Sequence, residues 1–171
     1  MEGPFATILD TSVLINFLVV DQVGLLTRLS KRQFILTDHV RAEITTHYPD
    51  QLQRLQSAFE SGHFHELVVD SRPEMTTFAQ LTETGLGIGE CSAIAVAAVR
   101  GFHLGLDDKQ ARKQTLQRFP NVVLVSTEML MVELIQTKLI SVLDADVIKK
   151  QWEVAYRFRL PFASFTERLS P

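Results

Sequence analysis

Short apolar runs alternate with longer helical stretches along nearly the whole chain, and this rhythm limits the fold more than any other feature. Thr7–Leu9, Phe34–Thr37, Glu66–Val69, His103–Leu106 and Val122–Val125 are short and rich in apolar or β-branched residues. Runs without polar alternation are the mark of strands covered on both faces, as in a parallel sheet. Helical segments lie between and after them: Val13–Val19, Val40–Thr46, Gln51–Glu60, Glu74–Thr84, Ile88–Val99, Lys109–Gln117, Glu128–Thr137 and Asp144–Arg157. Thr37 or Asp38 can cap the second of these, and Gly62 can end the third. Ile88–Val99 is apolar on every side, which predicts a buried helix. The alternation predicts a three-layer α/β/α sandwich with a mostly parallel central sheet. In such sheets functional groups gather beyond the carboxyl ends of the strands.

The bulk composition narrows the class. The 171 residues are 46% hydrophobic and 22% charged, which suits one domain able to bury its own core. The single cysteine, Cys91, rules out an intrachain disulfide, and its Ala-rich apolar surroundings predict a buried, inert thiol. No apolar run approaches a membrane span, and the start of the chain has no basic region followed by an apolar stretch. A soluble cytoplasmic protein with no membrane association is expected. The net charge of −3 excludes a strongly basic nucleic-acid coat but not a local basic patch.

Four stretches put a carboxylate just after a strand or at the mouth of a helix. They are Ile8-Leu9-Asp10-Thr11-Ser12, Thr37-Asp38-His39-Val40-Arg41-Ala42-Glu43, Gly87-Ile88-Gly89-Glu90 and Leu104-Gly105-Leu106-Asp107-Asp108-Lys109. Each acid has a plain structural alternative. Asp10 can cap the next helix, although Thr11 and Ser12 are also suited to that task. Glu43 can be a partly solvated helix-face acid. Glu90 can be a first-turn acid favoured by the helix dipole, yet the flanking Gly87 and Gly89 point to a tight backbone turn that aims it at the sheet edge. Of Asp107 and Asp108, one should face the pocket and the other cap the following helix. Four such acids at one edge of one α/β layer would form an oxygen-rich pocket suited to Mg²⁺ or Mn²⁺.

In this order and spacing the motifs resemble the PIN-domain family of metal-dependent ribonucleases, including VapC-like toxin nucleases. The resemblance runs from about Phe5 to about Leu143. Leu9-Asp10-Thr11-Ser12-Val13-Leu14-Ile15 is similar to the family's opening strand and acid. Val40-Arg41-Ala42-Glu43, Gly89-Glu90-Cys91-Ser92-Ala93-Ile94-Ala95 and Leu106-Asp107-Asp108-Lys109 resemble the second, third and fourth acidic motifs. Val122-Val123-Leu124-Val125-Ser126-Thr127 resembles the strand and small polar pair that follow. The third acid is Glu instead of the commoner Asp. Leu106 stands where a Thr is usual, which leaves Asp107 as an alternative to the preferred Asp108.

The resemblance implies a PIN-like nuclease domain over 1–143; the segment 144–171 extends past the family core and is expected to be a C-terminal helical extension packed on the same domain. The resemblance also implies an endoribonuclease that hydrolyses single-stranded RNA, leaving 5′-phosphate and 3′-hydroxyl ends. Asp10, Glu43, Glu90 and Asp108 would form the catalytic set. Asp10, Glu90 and Asp108 would hold the Mg²⁺ or Mn²⁺, and Thr11 and Ser12 would orient the acids. Lys109, Arg112 and Lys113, at i, i+3 and i+4 beside Asp108, would make a basic face for RNA. Arg28, Lys31 and Arg32 form a second basic group. A toxin role would add an antitoxin partner and a homodimer. Two other readings stand beside this one. A non-catalytic PIN-like module would bind RNA or protein without cutting. A phosphohydrolase using Asp10 as nucleophile is disfavoured, because Ser12 occupies the place of its usual second Asp. The five histidines show no zinc spacing, and Gly85–Gly89 is a poor dinucleotide loop with no strand leading into it.

Overall fold

The computed structural model describes residues 3–169. Its five strands are β1 (Phe5–Leu9), β2 (Arg32–Thr37), β3 (His65–Leu67), β4 (His103–Gly105) and β5 (Leu124–Val125). They pair in the order β3-β2-β1-β4-β5, and every pairing is parallel. The register sets Ile8 beside Ile35 on one side and beside Leu104 on the other. Parallel strands need crossovers, and the helices supply them. From β1 the chain passes through α1 (Thr11–Val19) and the short α2 (Val23–Leu26) to β2. Next come α3 (Asp38–His47), a 3₁₀ turn at Pro49–Gln51 and α4 (Leu52–Glu60), leading to β3. The helices α5 (Arg72–Thr82) and α6 (Ile88–Arg100) then carry the chain back across the sheet to β4. After α7 (Lys109–Arg118) and β5 come α8 (Thr127–Gln136), α9 (Val142–Ala155) and α10 (Thr166–Leu169). Right-handed crossovers in opposite directions place α1 and α6 on opposite faces of the sheet, which gives the α/β sandwich.

Burial follows the apolar pattern. Ile8, Leu9, Leu36 and Leu104 are inaccessible in the sheet, and Cys91, Ala93, Ile94, Ala95, Val96 and Ala97 bury α6 all round. Cys91 is buried with its thiol pushed up to about 11, mainly by burial, so it is not a thiolate nucleophile. The helix α9 docks through Trp152, whose ring meets Phe17 edge to face and whose Nε1–H donates to the Asn16 carbonyl at 2.7 Å. Its first residue is Val142, so a division at 143 falls within its first turn. No helix among the described residues is long and apolar enough to cross a membrane.

Several boundaries differ from the sequence reading because caps, not apolar residues, start the helices. Asp10 caps α1, which therefore starts at Thr11 and not Val13. Ser71 and Glu74 form a reciprocal capping box, which starts α5 at Arg72. The turn α2 was not anticipated, since Val23–Leu26 is too short to show a period. The strand order reverses between β1 and β4. That is the switch point, where an open α/β sheet leaves a crevice beyond its strand ends.

Candidate active site

Asp10 follows β1 at this switch point and is 1% exposed. One of its carboxylate oxygens, Oδ2, accepts from the Ser12 backbone N–H at 3.0 Å and so caps α1. The other, Oδ1, is buried with no hydrogen-bond partner. Burial, with smaller contributions from the charges of Glu90 and Glu43, pushes the Asp10 pKa up to about 7. Thr11 and Ser12 do not replace Asp10 as the cap. The Thr11 hydroxyl donates to Glu43 Oε2 at 2.8 Å, and Ser12 Oγ accepts from the Asp107 backbone N–H at 3.0 Å.

Glu43 reaches this place from the second turn of α3. Its carboxylate lies over Gly89, where any Cβ would run into Oε2. Glycine is therefore tolerated inside a helix at Gly89 because the Glu43 side chain fills the space a larger residue would take. Glu90 opens α6 beside it and bends back so that Oε2 accepts from the Gly87 N–H at 2.9 Å. Its pKa is raised, first by burial and then by the charges of Asp108 and Glu43.

The two aspartates after β4 do not share the work as expected. Asp108 caps α7, with Oδ1 accepting from Ala111 N–H at 2.7 Å, and it is also the acid whose charge is felt at Glu90. Asp107 neither caps that helix nor keeps a spare oxygen for a ligand. Its Oδ1 accepts from Thr127 N–H at 2.9 Å, and its Oδ2 accepts from the Thr127 hydroxyl at 2.5 Å and Asn16 Nδ2 at 3.1 Å. Burial still raises its pKa, although these hydrogen bonds oppose the rise. Asn16 also donates to Ser12 O and Thr127 Oγ1, which ties α1 to the start of α8. Its part in holding Asp107 was not foreseen. The signal was an amide in the middle of an otherwise apolar helix.

The basic face is smaller than the spacing predicted. Arg112 turns inward, with Nη1 donating to the Leu106 carbonyl at 2.7 Å and to Val125 O at 3.4 Å, while Lys109 and Lys113 stay exposed. In the second basic group, Arg32 pairs with Glu133 at 2.8 Å at the start of β2, at the amino end of the sheet and away from the acids.

The fold thus gathers Asp10, Glu43 and Glu90, with Asp108 near enough for its charge to act on Glu90, and turns Asp107 aside. Among the described residues no group of three or more His, Cys, Asp or Glu side chains is placed to hold a metal ion. The donor set nevertheless suits a hard cation that keeps part of its water shell and takes only one or two carboxylates. The buried, unpartnered Oδ1 of Asp10 is the observation that fits such an ion, because a desolvated carboxylate oxygen requires either a proton or a cation.

Comparison with known proteins agrees with this architecture. A PIN-domain family model matches residues 6–151. The structure is similar to that of PAE2754 from Pyrobaculum aerophilum, with a TM-score of 0.52 and 16% identity over 80% of this chain and 94% of that one. Lesser overlap is found with VapBC2 from Rickettsia felis bound to a promoter DNA fragment, at TM-score 0.49 and 14% identity over 71% of this chain and 98% of that one. The PIN domain endonuclease Utp24 gives TM-score 0.48 and 18% identity over 72% of this chain and 85% of that one. A comparison with curated proteins gave no match. The family match spans most of the chain and includes all four acids, so the protein belongs to the PIN-domain family.

Proposed function

We propose that the protein is a divalent-metal-dependent endoribonuclease that hydrolyses phosphodiester bonds of single-stranded RNA. The observation that carries this reading is the Asp10 carboxylate at the switch point, with one oxygen fixed by Ser12 and the other buried without a partner. Asp10, Glu90 and Asp108 would hold Mg²⁺ or Mn²⁺, directly or through water. When bound, such an ion neutralises phosphate oxygens and provides a water activated for in-line attack.

The chain's own residues then orient and restrain. Ser12 N–H and Gly87 N–H each fix one oxygen of Asp10 and Glu90, which leaves the second oxygen of each for the ion or its waters. Thr11 holds Glu43 against the same pocket, where Glu43 completes the negative set. Asp107, Asn16 and Thr127 brace the loop that presents Asp108. Lys109 and Lys113 are exposed cations on the helix that Asp108 caps, placed to offset phosphate charge. Residues 144–169 are read as part of the same unit, held through Trp152.

Asp10→Asn tests the reading. It should abolish Mg²⁺-dependent cleavage of unstructured RNA while the circular-dichroism spectrum stays unchanged. Undiminished cleavage by the folded variant would refute the assignment. A wild-type protein that binds Mg²⁺ in a titration but cuts no RNA would favour the non-catalytic module.

A further inference from the structure

The seam between α1 and α3 does not end at the Thr11–Glu43 hydrogen bond. Thr11, Ile15 and Val19 recur at i, i+4 and i+8 along one face of α1, and Glu43 and His47 at i and i+4 along α3. A cavity of about 310 Å³ has Ile15, Val19, His47, Tyr48, Asp50 and Tyr156 in its lining. Ile15 lies one helical turn from Thr11, about 6 Å along the axis.

Both tyrosines are held in place by ordered backbone. Tyr48 closes α3, with its N–H on the Ile44 carbonyl at 2.9 Å. Tyr156 closes α9, with its N–H on the Trp152 carbonyl at 3.1 Å, and Trp152 is itself buried and bonded to α1. Arg157 adopts φ +56 immediately afterwards, so the chain turns sharply once the ring is placed. Tyr48 is 38% exposed and Tyr156 45%, so neither ring is consumed by the core. Partly exposed tyrosines beside Ile15 and Val19, in a cavity whose nearest lining residue, Ile15, is one turn from Thr11, suit one flat heteroaromatic ring. Stacking of this kind accepts any base, because every base has a π-face.

We propose that this cavity is a nucleobase subsite, which takes the base next to the phosphodiester held at the acidic site by stacking on Tyr48 and Tyr156. The proposal rests on the ribonuclease reading above. It assigns the C-terminal segment a task, since Tyr156 comes from the end of α9. It also makes the base beside the cut bond a determinant of affinity without a strict sequence code.

The test uses the full chain and a fluorescently labelled single-stranded oligoribonucleotide. Its affinity is read by anisotropy in EDTA, and its cleavage is read in Mg²⁺. Tyr48→Ala and Tyr156→Ala should each weaken binding and raise KM about ten-fold, with kcat within about two-fold of wild type. Tyr48→Phe and Tyr156→Phe should retain wild-type values, which separates loss of a stacking ring from loss of fold. An oligonucleotide with an abasic residue beside the cut bond should bind wild type about ten-fold more weakly. That penalty should shrink in both Tyr48→Ala and Tyr156→Ala. Unchanged affinity in both alanine variants, or an abasic penalty of equal size in wild type and variants, would overturn the subsite. If the wild type binds RNA in a tyrosine-dependent way but never cuts it, the nuclease reading falls and the subsite stands. If the wild type neither binds RNA in EDTA nor cuts it in Mg²⁺, both fall.

Discussion

Asp10 and Asp107 follow neighbouring strands, β1 and β4, yet their environments are opposite. Asp107 has both oxygens satisfied, by Thr127 and Asn16. Asp10 has one oxygen satisfied, by Ser12, and one buried with nothing to accept. Burial raises the pKa of both. The difference teaches how to tell a bracing acid from a ligating one. Three donors fill most of the four lone-pair sites of a carboxylate, so Asp107 is a structural acceptor. The unfilled oxygen of Asp10 costs free energy in the isolated fold, and a cation would recover it.

The comparison breaks most sharply in activity. Asp10→Asn should lower Mg²⁺-dependent cleavage by about 1000-fold or more, equivalent to about 4 kcal/mol of transition-state stabilisation. The measurement is a single-turnover assay on unstructured RNA. The melting temperature should not fall, because the amide removes a buried charge.

A second consequence is pH-dependent stability without metal. Folded Asp10 stays protonated up to about pH 7, whereas in the unfolded chain it titrates near 3.8. Between these values the folded state binds the extra proton. The sign is therefore a loss of stability as pH rises from about 4 through 7, on the order of a few kcal/mol. Urea unfolding in EDTA across that range should show the decline in wild type and lose most of it in Asp10→Asn. An identical slope in both would assign the decline to other groups.

Asp107 predicts the reverse. Asp107→Ala leaves the Thr127 N–H and hydroxyl without their acceptor and removes one of the Asn16 amide's acceptors, which should cost about 2–3 kcal/mol. A chain of this length should then melt roughly 5–10 °C lower. Calorimetry checks this, and a variant as stable as wild type would show that the network is not bracing the loop.

The smallest effect belongs to Gly89→Ala. The added methyl displaces Glu43 from Thr11, which should reduce cleavage about ten-fold. Stability should hold or rise by up to about 1 kcal/mol, as alanine replaces glycine inside a helix. A fall in stability with activity intact would contradict the role given to Glu43.

The parallel sheet and the four acids were legible because their signals are local: apolar runs, helix mouths and flanking glycines. The tertiary uses of those residues were not. The sequence offers Asp10 as a cap or a metal ligand, but its two oxygens let it cap α1 and still leave one free. Asp108 likewise caps α7 while its charge reaches Glu90. Arg112 shares helical spacing with Lys109 and Lys113, yet the Leu106 and Val125 carbonyls at the strand ends draw its guanidinium inward. Asn16 and Thr127 lie far apart in sequence, and only the fold shows them holding one carboxylate. Tyr156 belongs to a pocket with α1 and α3 because Trp152 docks α9, which no local pattern reveals.

The central claim is that the free oxygen of Asp10 exists for a cation. Calorimetric titration of Mg²⁺ into wild type and Asp10→Asn, at pH 6 and at pH 8, tests it most directly. Wild type should bind Mg²⁺ more weakly at pH 6, releasing a proton on binding there, and the variant should bind far more weakly at both. Equal affinity in wild type and variant, with no proton released, would contradict it.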